Sequence, residues 1–352
     1  MGDYIKLYTA TGAADSVYFL SEGSVYFYIS NVDKYAITGK NLIIGSTEII
    51  MARLLGTDTG RIETAVADGG SDIKKISIDK FMQGLSTYSF ALNAAMVVAK
   101  QVNLTGQILQ KNMSDLEGEE KKMRDAAVAY YGIMERLKLE YDKRRLPWLK
   151  ELIEEFDDTL TSKKGEAYCK SAEPATMNAE EALSEREVEY QRGSVIFEEN
   201  TPGNEMYILK SGAIEVMLRG SRISMIDQPG TVIGEMALLL GEKLAATLRA
   251  KNTVVLTRIR REDLRDVAEK QRDFLTSLAT TLARRHYHNV ARIETVNRSL
   301  VGQLLDKETA GSDKQAVLAR RAQHELSMLK ARLEDVAMEK KADFFSEFVK
   351  SL

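Results

Sequence analysis

The stretch 229–250, "PGTVIGEMALLLGEKLAATLRA", decides the reading of this chain. It joins one strand to the next through a short apolar helical turn. Gly234 carries no side chain, so the backbone there can come close to a ligand. The N–H groups of Met236, Ala237 and Leu238 open the turn, and a first helical turn has no internal partners for them. Such N–H groups, together with the helix dipole, favour an anion. Glu235 cannot hold an anion itself, but its carboxylate can accept hydrogen bonds from a sugar hydroxyl. Ala245 and Ala246 are small enough for close approach, and Thr247 adds a hydroxyl. Leu244, directly before them, brings no charge to a place that would suit a cation.

Outward from this stretch, residues 188–260 read as short strands. Turn glycines punctuate them at Gly193, Gly203, Gly212, Gly220, Gly230, Gly234 and Gly241. Closely spaced strands of this kind predict a jelly roll or similar barrel. Helix returns from about Arg261, with Leu275, Leu278, Leu282, Val290, Ile293, Leu300 and Leu304 as one stripe. "AGSDK" (310–314) breaks it. A last helix runs to the end of the chain, with Leu326, Leu329, Leu333 and Val336 at 3-4-3 spacing and "FFSEFV" (344–349) beyond them. The stripe is short for a coiled coil but suits a helical pairing surface. Three phenylalanines on a segment that a lone helix could not bury point to self-association or a protein partner.

The N-terminal half has the same plan. Residues 14–80 are strand-like, with "SVYFLSEGSVYFYIS" (16–30) read around a turn at Gly23. From about Asp79 the pattern becomes helical, and "FALNAAMVVAKQVNLTGQIL" (90–109) suits a buried helix. A second helix spans roughly 114–143, its apolar positions Met123, Ala127, Tyr130, Ile133, Met134, Leu137 and Tyr141 repeating at three and four. Pro147 opens a third, with Trp148 anchoring its start. Residues 162–187, polar and small, read as a linker. "VYFLSEGSVYFY" (17–28) lies over "MYILKSGAIEVM" (206–217), aromatic and glycine in matching places, which reads as an internal duplication. The expected architecture is α+β: two barrel-type domains, at 1–112 and 188–306, with a helical linker at 113–187 and a C-terminal helix at 307–352.

Composition narrows the class. The 352 residues are 44% hydrophobic and 29% charged with a net charge of −3, values of an ordinary helix-rich globular protein. Nothing in that balance suggests binding to nucleic acid through phosphate contacts. The one cysteine, Cys169, cannot form an internal disulfide, so a reducing, cytosolic compartment is expected. No apolar run approaches the length of a membrane span, and no secretory leader pattern opens the chain. No phosphate loop, zinc spacing or nucleophile motif is present, so no catalytic set and no cofactor is expected. His286 and His288 at i, i+2 do not share a helix face and so do not suggest a metal site. Tyr287 between them reads as a helix-packing or surface aromatic, with stacking on a ligand's base as the alternative.

The 188–300 region resembles the cyclic nucleotide-binding domain. The residues that carry the resemblance are Gly193, Gly203, Tyr207 and Gly212 in "RGSVIFEENTPGNEMYILKSGAIEV" (192–216) and the cassette Gly234-Glu235 followed, nine residues after Glu235, by Leu244-Ala245-Ala246-Thr247. The family has Arg-x-Ala-Thr there. The resemblance implies that Glu235 takes a ribose hydroxyl and that Leu244 stands where an arginine would pair with the cyclic phosphate. A charge-assisted bond of that kind is worth about 1.5–3 kcal/mol, or one to two decades in affinity. Arg249, five residues on, faces differently and is expected to be solvated. In the N-terminal half, Arg61-Ile62-Glu63-Thr64 matches from the right and Gly45-Ser46 from the left, which puts Ser46 in the sugar slot, with Glu48 as a substitute after a two-residue shift. Arg61 would then be the phosphate cation or a plain surface arginine, and Glu63 is placed to neutralise it.

The resemblance implies a non-enzymatic cytosolic regulator in which a purine cyclic nucleotide, cAMP foremost, shifts the helices that follow each barrel. Two alternatives stand beside it: a scaffold that keeps the barrels without a ligand, and a second barrel that binds a neutral nucleoside. Leu244 and Glu63 favour the first alternative, Arg61 and Glu235 the regulator.

Overall fold

The computed structural model describes residues 4–57, 60–116, 118–169, 176–177, 181–218, 220–309 and 313–352. Strands β1 (Tyr4–Tyr8), β2 (Ser16–Tyr28) and β3 (Lys34–Ile44) lead to helix α1 (Thr47–Leu55), then β4 (Thr64–Asp68) and β5 (Asp72–Ser77). Helices α2 (Ile78–Gly84), α3 (Tyr88–Ser114), α4 (Gly118–Arg144), α5 (Pro147–Phe156) and α6 (Leu160–Cys169) follow. The second run of strands comprises β6 (Glu187–Tyr190), β7 (Val195–Phe197), β8 (Glu205–Ser211), β9 (Ile214–Leu218), β10 (Ser221–Ile226) and β11 (Val232–Ile233). Helix α7 (Glu235–Leu240) separates these from β12 (Thr247–Ala250) and β13 (Val254–Arg260). The chain ends in α8 (Leu264–Lys270), the long α9 (Phe274–Thr309), α10 (Asp313–Lys340) and α11 (Asp343–Lys350). Two compact units result: Met1–Gln110 with Ala172–Glu294, and Lys111–Ser171 with Thr295–Leu352.

In the first unit, β2 organises the N-terminal sheet. Its first half pairs with β5 and its second half with β4, while β3 runs along its other side throughout. Gly23, expected at a turn, instead lies inside this 13-residue strand, at the point where the partner changes. Its φ of 134° and the Ser71 side chain, which a β carbon would strike, leave room only for glycine. The C-terminal strands repeat the pairings with each long strand cut in two. β8 pairs with β11 and β13, β9 with β10 and β12. β7 flanks β12 as β1 flanks β4. β6 on β13 has no counterpart among the described N-terminal strands.

The expected barrels are not closed. The C-terminal strands form two four-stranded antiparallel sheets. Ile196, Leu248 and Ile214 of one and Tyr207, Leu209 and Leu256 of the other bury their side chains in one cluster. Period-2 alternation thus gives an open jelly-roll sandwich, and the N-terminal strands one five-stranded sheet. The largest core of this unit joins the two halves. Ile49 and Ile50 of α1 and Ala94, Ala95 and Val98 of α3 share it with Leu238 of α7 and Phe274, Leu278 and Leu282 of α9. The apolar helix read from "FALNAAMVVAK" is therefore interior on the sheet side and against α9.

In the second unit, α4, α5, α6, α10 and α11 pack together. Pro147 occupies the first turn of α5, where its missing N–H costs nothing. The final helix is two helices, broken where Lys341 takes φ 47°. The expectation that the tail presents a free apolar stripe is not met. Leu329, Leu333, Val336, Phe345 and Phe348 are buried with Tyr130, Ile133, Met134, Leu137 and Leu149, and Phe344 packs beside them. Trp148 sits edge-on to Phe345 at 5.0 Å. Within this unit the phenylalanines have a partner: the apolar face of α4 and α5. The break read at 310–314 falls largely outside the described residues, as do parts of the linker read at 162–187. Among the described residues, no helix is long and apolar enough to cross a membrane.

Candidate ligand-binding site

The cassette of the C-terminal sheets is laid out as the sequence orders it. Gly234 takes the left-handed conformation (φ 80°) and ends β11, so that Glu235 opens α7. Leu238 donates its N–H to Gly234 O at 3.0 Å, so one of the three N–H groups expected to be free is used inside the turn. Met236 packs on the unit's core and Ala237 is buried, which gives both an inward, structural place. Leu244 is buried with its δ carbon against Gly234. Ala245 is exposed and Ala246 half-buried beyond it. Thr247 begins β12 and accepts a hydrogen bond from the Glu199 N–H at 2.9 Å. Arg249 faces outward and pairs with Glu215 on β9, which removes it from the pocket, as its position in the strand implies.

Glu235 is buried yet not unpaired. Its carboxylate accepts from Arg285 of α9, the guanidinium at about a quarter exposed and the carboxylate nearly covered. Within hydrogen-bond reach of Glu235 the cation comes from a helix 50 residues on. No periodicity marks Arg285 in "ARRHYH" (283–288), so the sequence alone does not single it out.

The N-terminal half also runs from a left-handed glycine through a short helix to a strand, with different side chains along the way. Gly45 is left-handed (φ 76°), and α1 follows with Ser46 at its N-cap. The α1 helix is nine residues against six for α7, which supplies half of the extra length between Gly45 and Arg61 compared with Gly234 and Leu244. Thr64 begins β4 and accepts from the Ala10 N–H at 2.9 Å, as Thr247 does from Glu199. Ser46 is fully buried and its hydroxyl has no hydrogen-bond partner, so it neither caps α1 nor engages Arg61.

Arg61 is not a surface arginine. Its side chain is wholly buried, donating to Gly45 O at 2.7 Å, to the Glu48 carboxylate at 2.9 Å and to Ser16 O. The Tyr8 ring covers it at 4.1 Å. Glu48, read as the substitute for Ser46 in the sugar slot, instead spends one oxygen on Arg61 and the other on the Ile62 N–H at 3.1 Å. Glu63 does not neutralise Arg61, although alternation placed it on the same face. Residues 61–63 precede β4 in a bend, so the two-residue period does not apply there. Its carboxyl instead meets the Tyr35 hydroxyl at 2.8–2.9 Å and Gln101 Nε2 at 3.0 Å.

A buried polar network extends from Glu63 to α9. The Tyr35 hydroxyl lies 3.2 Å from His286 Nε2, and His286 Nδ1 lies 3.1 Å from the hydroxyl of Thr47, the first residue of α1. Burial, then the Glu48 charge, pushes the Glu63 carboxyl well above the usual carboxylate range. Burial likewise pushes the His286 imidazole down to about 3, so it is neutral near pH 7. Two successive residues of α9 thus reach both short helices: Arg285 meets the first residue of α7 and His286 the first residue of α1. Asn289, one turn on, donates to Val102 O and to the Thr105 hydroxyl on α3. Tyr287 packs onto the shared core. Gln101 is one of several polar residues in α3, so the sequence alone does not mark it as part of this network.

Residues 187–271 match the family model of the cyclic nucleotide-binding domain, so this segment carries the domain that its glycines and cassette resemble. Among solved structures, the N-terminal domain of a transcriptional regulator from Streptomyces coelicolor A3(2) is 26% identical over 32% of this chain and 83% of its own, with a TM-score of 0.27. A cyclic nucleotide-binding-like protein from Brucella abortus bv. 1 str. 9-941 is 24% identical over 25% and 80%, with a TM-score of 0.23. A cAMP-bound PfPKA-R (141-441) structure is 15% identical over 78% and 76%, with a TM-score of 0.25.

Proposed function

We propose that this chain is a non-enzymatic regulator in which a purine cyclic nucleotide, cAMP foremost, binds the C-terminal cassette and acts through α9. The observation that carries the reading is the Glu235–Arg285 contact. A sugar hydroxyl that engages Glu235 must share that carboxylate with the guanidinium, so occupancy of the pocket is coupled to the position of α9. A ligand shifts an equilibrium only by its differential affinity for the two arrangements, and this contact supplies the difference. The N-terminal half is read as a second, degenerate copy. In support stand the matching strand pairings, the two left-handed glycines Gly45 and Gly234, and the matching roles of Thr64 and Thr247. Its own arginine is already satisfied by Glu48.

That last point favours a second reading, a scaffold with two closed pockets, since Leu244 and the Arg61–Glu48 pair each remove a phosphate cation. Calorimetry of the full chain with cAMP, cGMP and adenosine separates the readings. Saturable cAMP binding is expected. Binding of adenosine alone would replace the cyclic nucleotide by a nucleoside, and heat from none of the three would leave the scaffold.

A further inference from the structure

Leu244 leaves the C-terminal cassette without the cation that a sugar phosphate requires, and the structure shows where a cation nevertheless stands. Glu235 and Leu244 both adjoin Gly234, one in sequence and the other by packing. Arg285 reaches the Glu235 carboxylate with Nη1. Its Nε and Nη2 make no other hydrogen bond among the described residues, and its side chain is about a quarter exposed, so donors remain for a ligand. The other arginines around the cassette are less well placed. Arg249 is held by Glu215, and Arg261 approaches Gly241 at the far end of α7.

We propose that Arg285, which lies outside the segment matched to the domain family, is the phosphate cation of the C-terminal pocket. It would act across Glu235 in place of a cassette arginine. Resting on the proposed function, this assigns the ligand class more closely: an anionic sugar phosphate whose hydroxyl donates to Glu235 and whose phosphate oxygen accepts from Arg285. A planar guanidinium can serve both at once, since its five N–H groups point in fixed, separate directions. The arrangement makes ligand recognition depend on α9 itself, because the cation arrives only when the helix does.

The test is calorimetry of the full chain, natural and variant, with cAMP and with adenosine. Arg285→Gln keeps an amide donor for Glu235 and removes the charge. It should lower cAMP affinity about 10- to 100-fold and leave adenosine within about threefold. Adding Leu244→Arg to that variant should restore cAMP binding, because the charge returns from the other side of Gly234. A purely structural role predicts equal loss of both ligands and no rescue, and that result overturns the proposal. So does unchanged cAMP affinity in Arg285→Gln. Should Arg285→Gln not fold, Arg285→Lys, which keeps the charge but not the fork, must lower cAMP affinity and leave adenosine unchanged. A natural chain that binds neither compound removes the proposed function, and this assignment with it. One that binds cAMP regardless of residue 285 removes the assignment alone.

Discussion

Arg61 and Leu244 occupy the same place in their two halves of the chain. Each closes a pair of backbone bonds to a preceding loop: Arg61 N–H to Gly12 O at 2.9 Å and Thr11 N–H to Arg61 O at 2.7 Å, Leu244 N–H to Thr201 O and Asn200 N–H to Leu244 O, both at 2.9 Å. Thr11 and Asn200 are both left-handed, with φ of 64° and 65°. The frame is thus kept to within a hydrogen bond, while one side chain is a buried cation and the other a buried hydrocarbon. What differs is how each half disposes of the charge. The first neutralises its arginine internally with Glu48, and the second has none in the cassette.

It follows that Arg61 serves stability first. Arg61→Leu, which copies the second half, leaves Glu48 buried without its counter-ion, and removing one partner of a buried pair costs on the order of 3–5 kcal/mol. Arg61→Leu with Glu48→Met should recover most of that loss, since an apolar pair of similar volume is tolerated. Urea unfolding of the three chains measures it. An Arg61→Leu variant as stable as the natural chain would show that the pair is not the fastening it looks like. Binding of cAMP to the C-terminal pocket should be the same in all three.

The Glu63–Tyr35–His286–Thr47 network gives a pH dependence whose sign can be worked out. Glu63 has a raised pKa in the fold, so its contribution is full below about pH 4.5 and is lost as pH rises through the raised value. His286 has a depressed pKa, about 3 against 6.5, so stability falls as pH drops from about 6.5 towards about 3. Between about pH 4.5 and 6.5 the two slopes oppose each other. Glu63→Gln removes the first and leaves the second, which approaches about 1.4 kcal/mol per pH unit. The variant should therefore gain stability relative to the natural chain as pH rises across that window. A constant difference would mean that Glu63 is ionised throughout.

Much of this was legible in the sequence, for local reasons. The strand runs, the turn at Gly234, the N1 proline and the apolar face of α4 each follow from period or from one residue's backbone demands. The resemblance at Glu235 and Leu244 came from fixed spacing within one loop. What escaped were partners far apart in the chain: Arg285 for Glu235, Glu48 for Arg61 with Glu63 turned away, and α4 with α5 for the tail phenylalanines. A carboxylate's spacing does not say which cation will reach it. Nor does an apolar stripe say whether its cover comes from the same chain. Gly23 failed for a subtler reason, since a glycine at a strand's change of partner carries the same mark as a glycine at a turn.

The tail phenylalanines now carry a prediction about folding. Phe345 is fully buried against Trp148 and Phe348. Phe345→Ala should cost about 3–5 kcal/mol by lost transfer energy and the cavity left behind. A chain cut before Asp313 should fare worse, because it uncovers Tyr130, Ile133 and Leu137 on α4. Thermal unfolding followed by circular dichroism reads both. An unchanged melting temperature in Phe345→Ala would show that the α4–α11 packing contributes little. Aggregation of the cut chain in light scattering is expected from exposed core, and so a change in its oligomeric state would not report a dimer interface.

The last prediction concerns how the two halves communicate. Arg285 and His286 are successive residues of one rigid helix, so a displacement of the first carries the second. Arg285 answers to the C-terminal pocket through Glu235, while His286 answers to α1 through the Thr47 hydroxyl. A ligand on Glu235 should therefore change the exchange of the α1 amides, Thr47 to Met51, although none lies in that pocket. Thr47→Val removes the hydroxyl and keeps the shape, so it should silence this change while leaving cAMP affinity within about threefold. Couplings of this sort are commonly worth about 1–3 kcal/mol, which corresponds to a several-fold change in amide exchange where opening is local. Hydrogen exchange read by mass spectrometry, with and without saturating cAMP, provides the measurement. If cAMP binds and the α1 amides do not respond in the natural chain, α9 holds the two halves together without linking their states. If they respond equally in Thr47→Val, the shared apolar core around Ile49 and Leu278 carries the linkage and the hydroxyl does not.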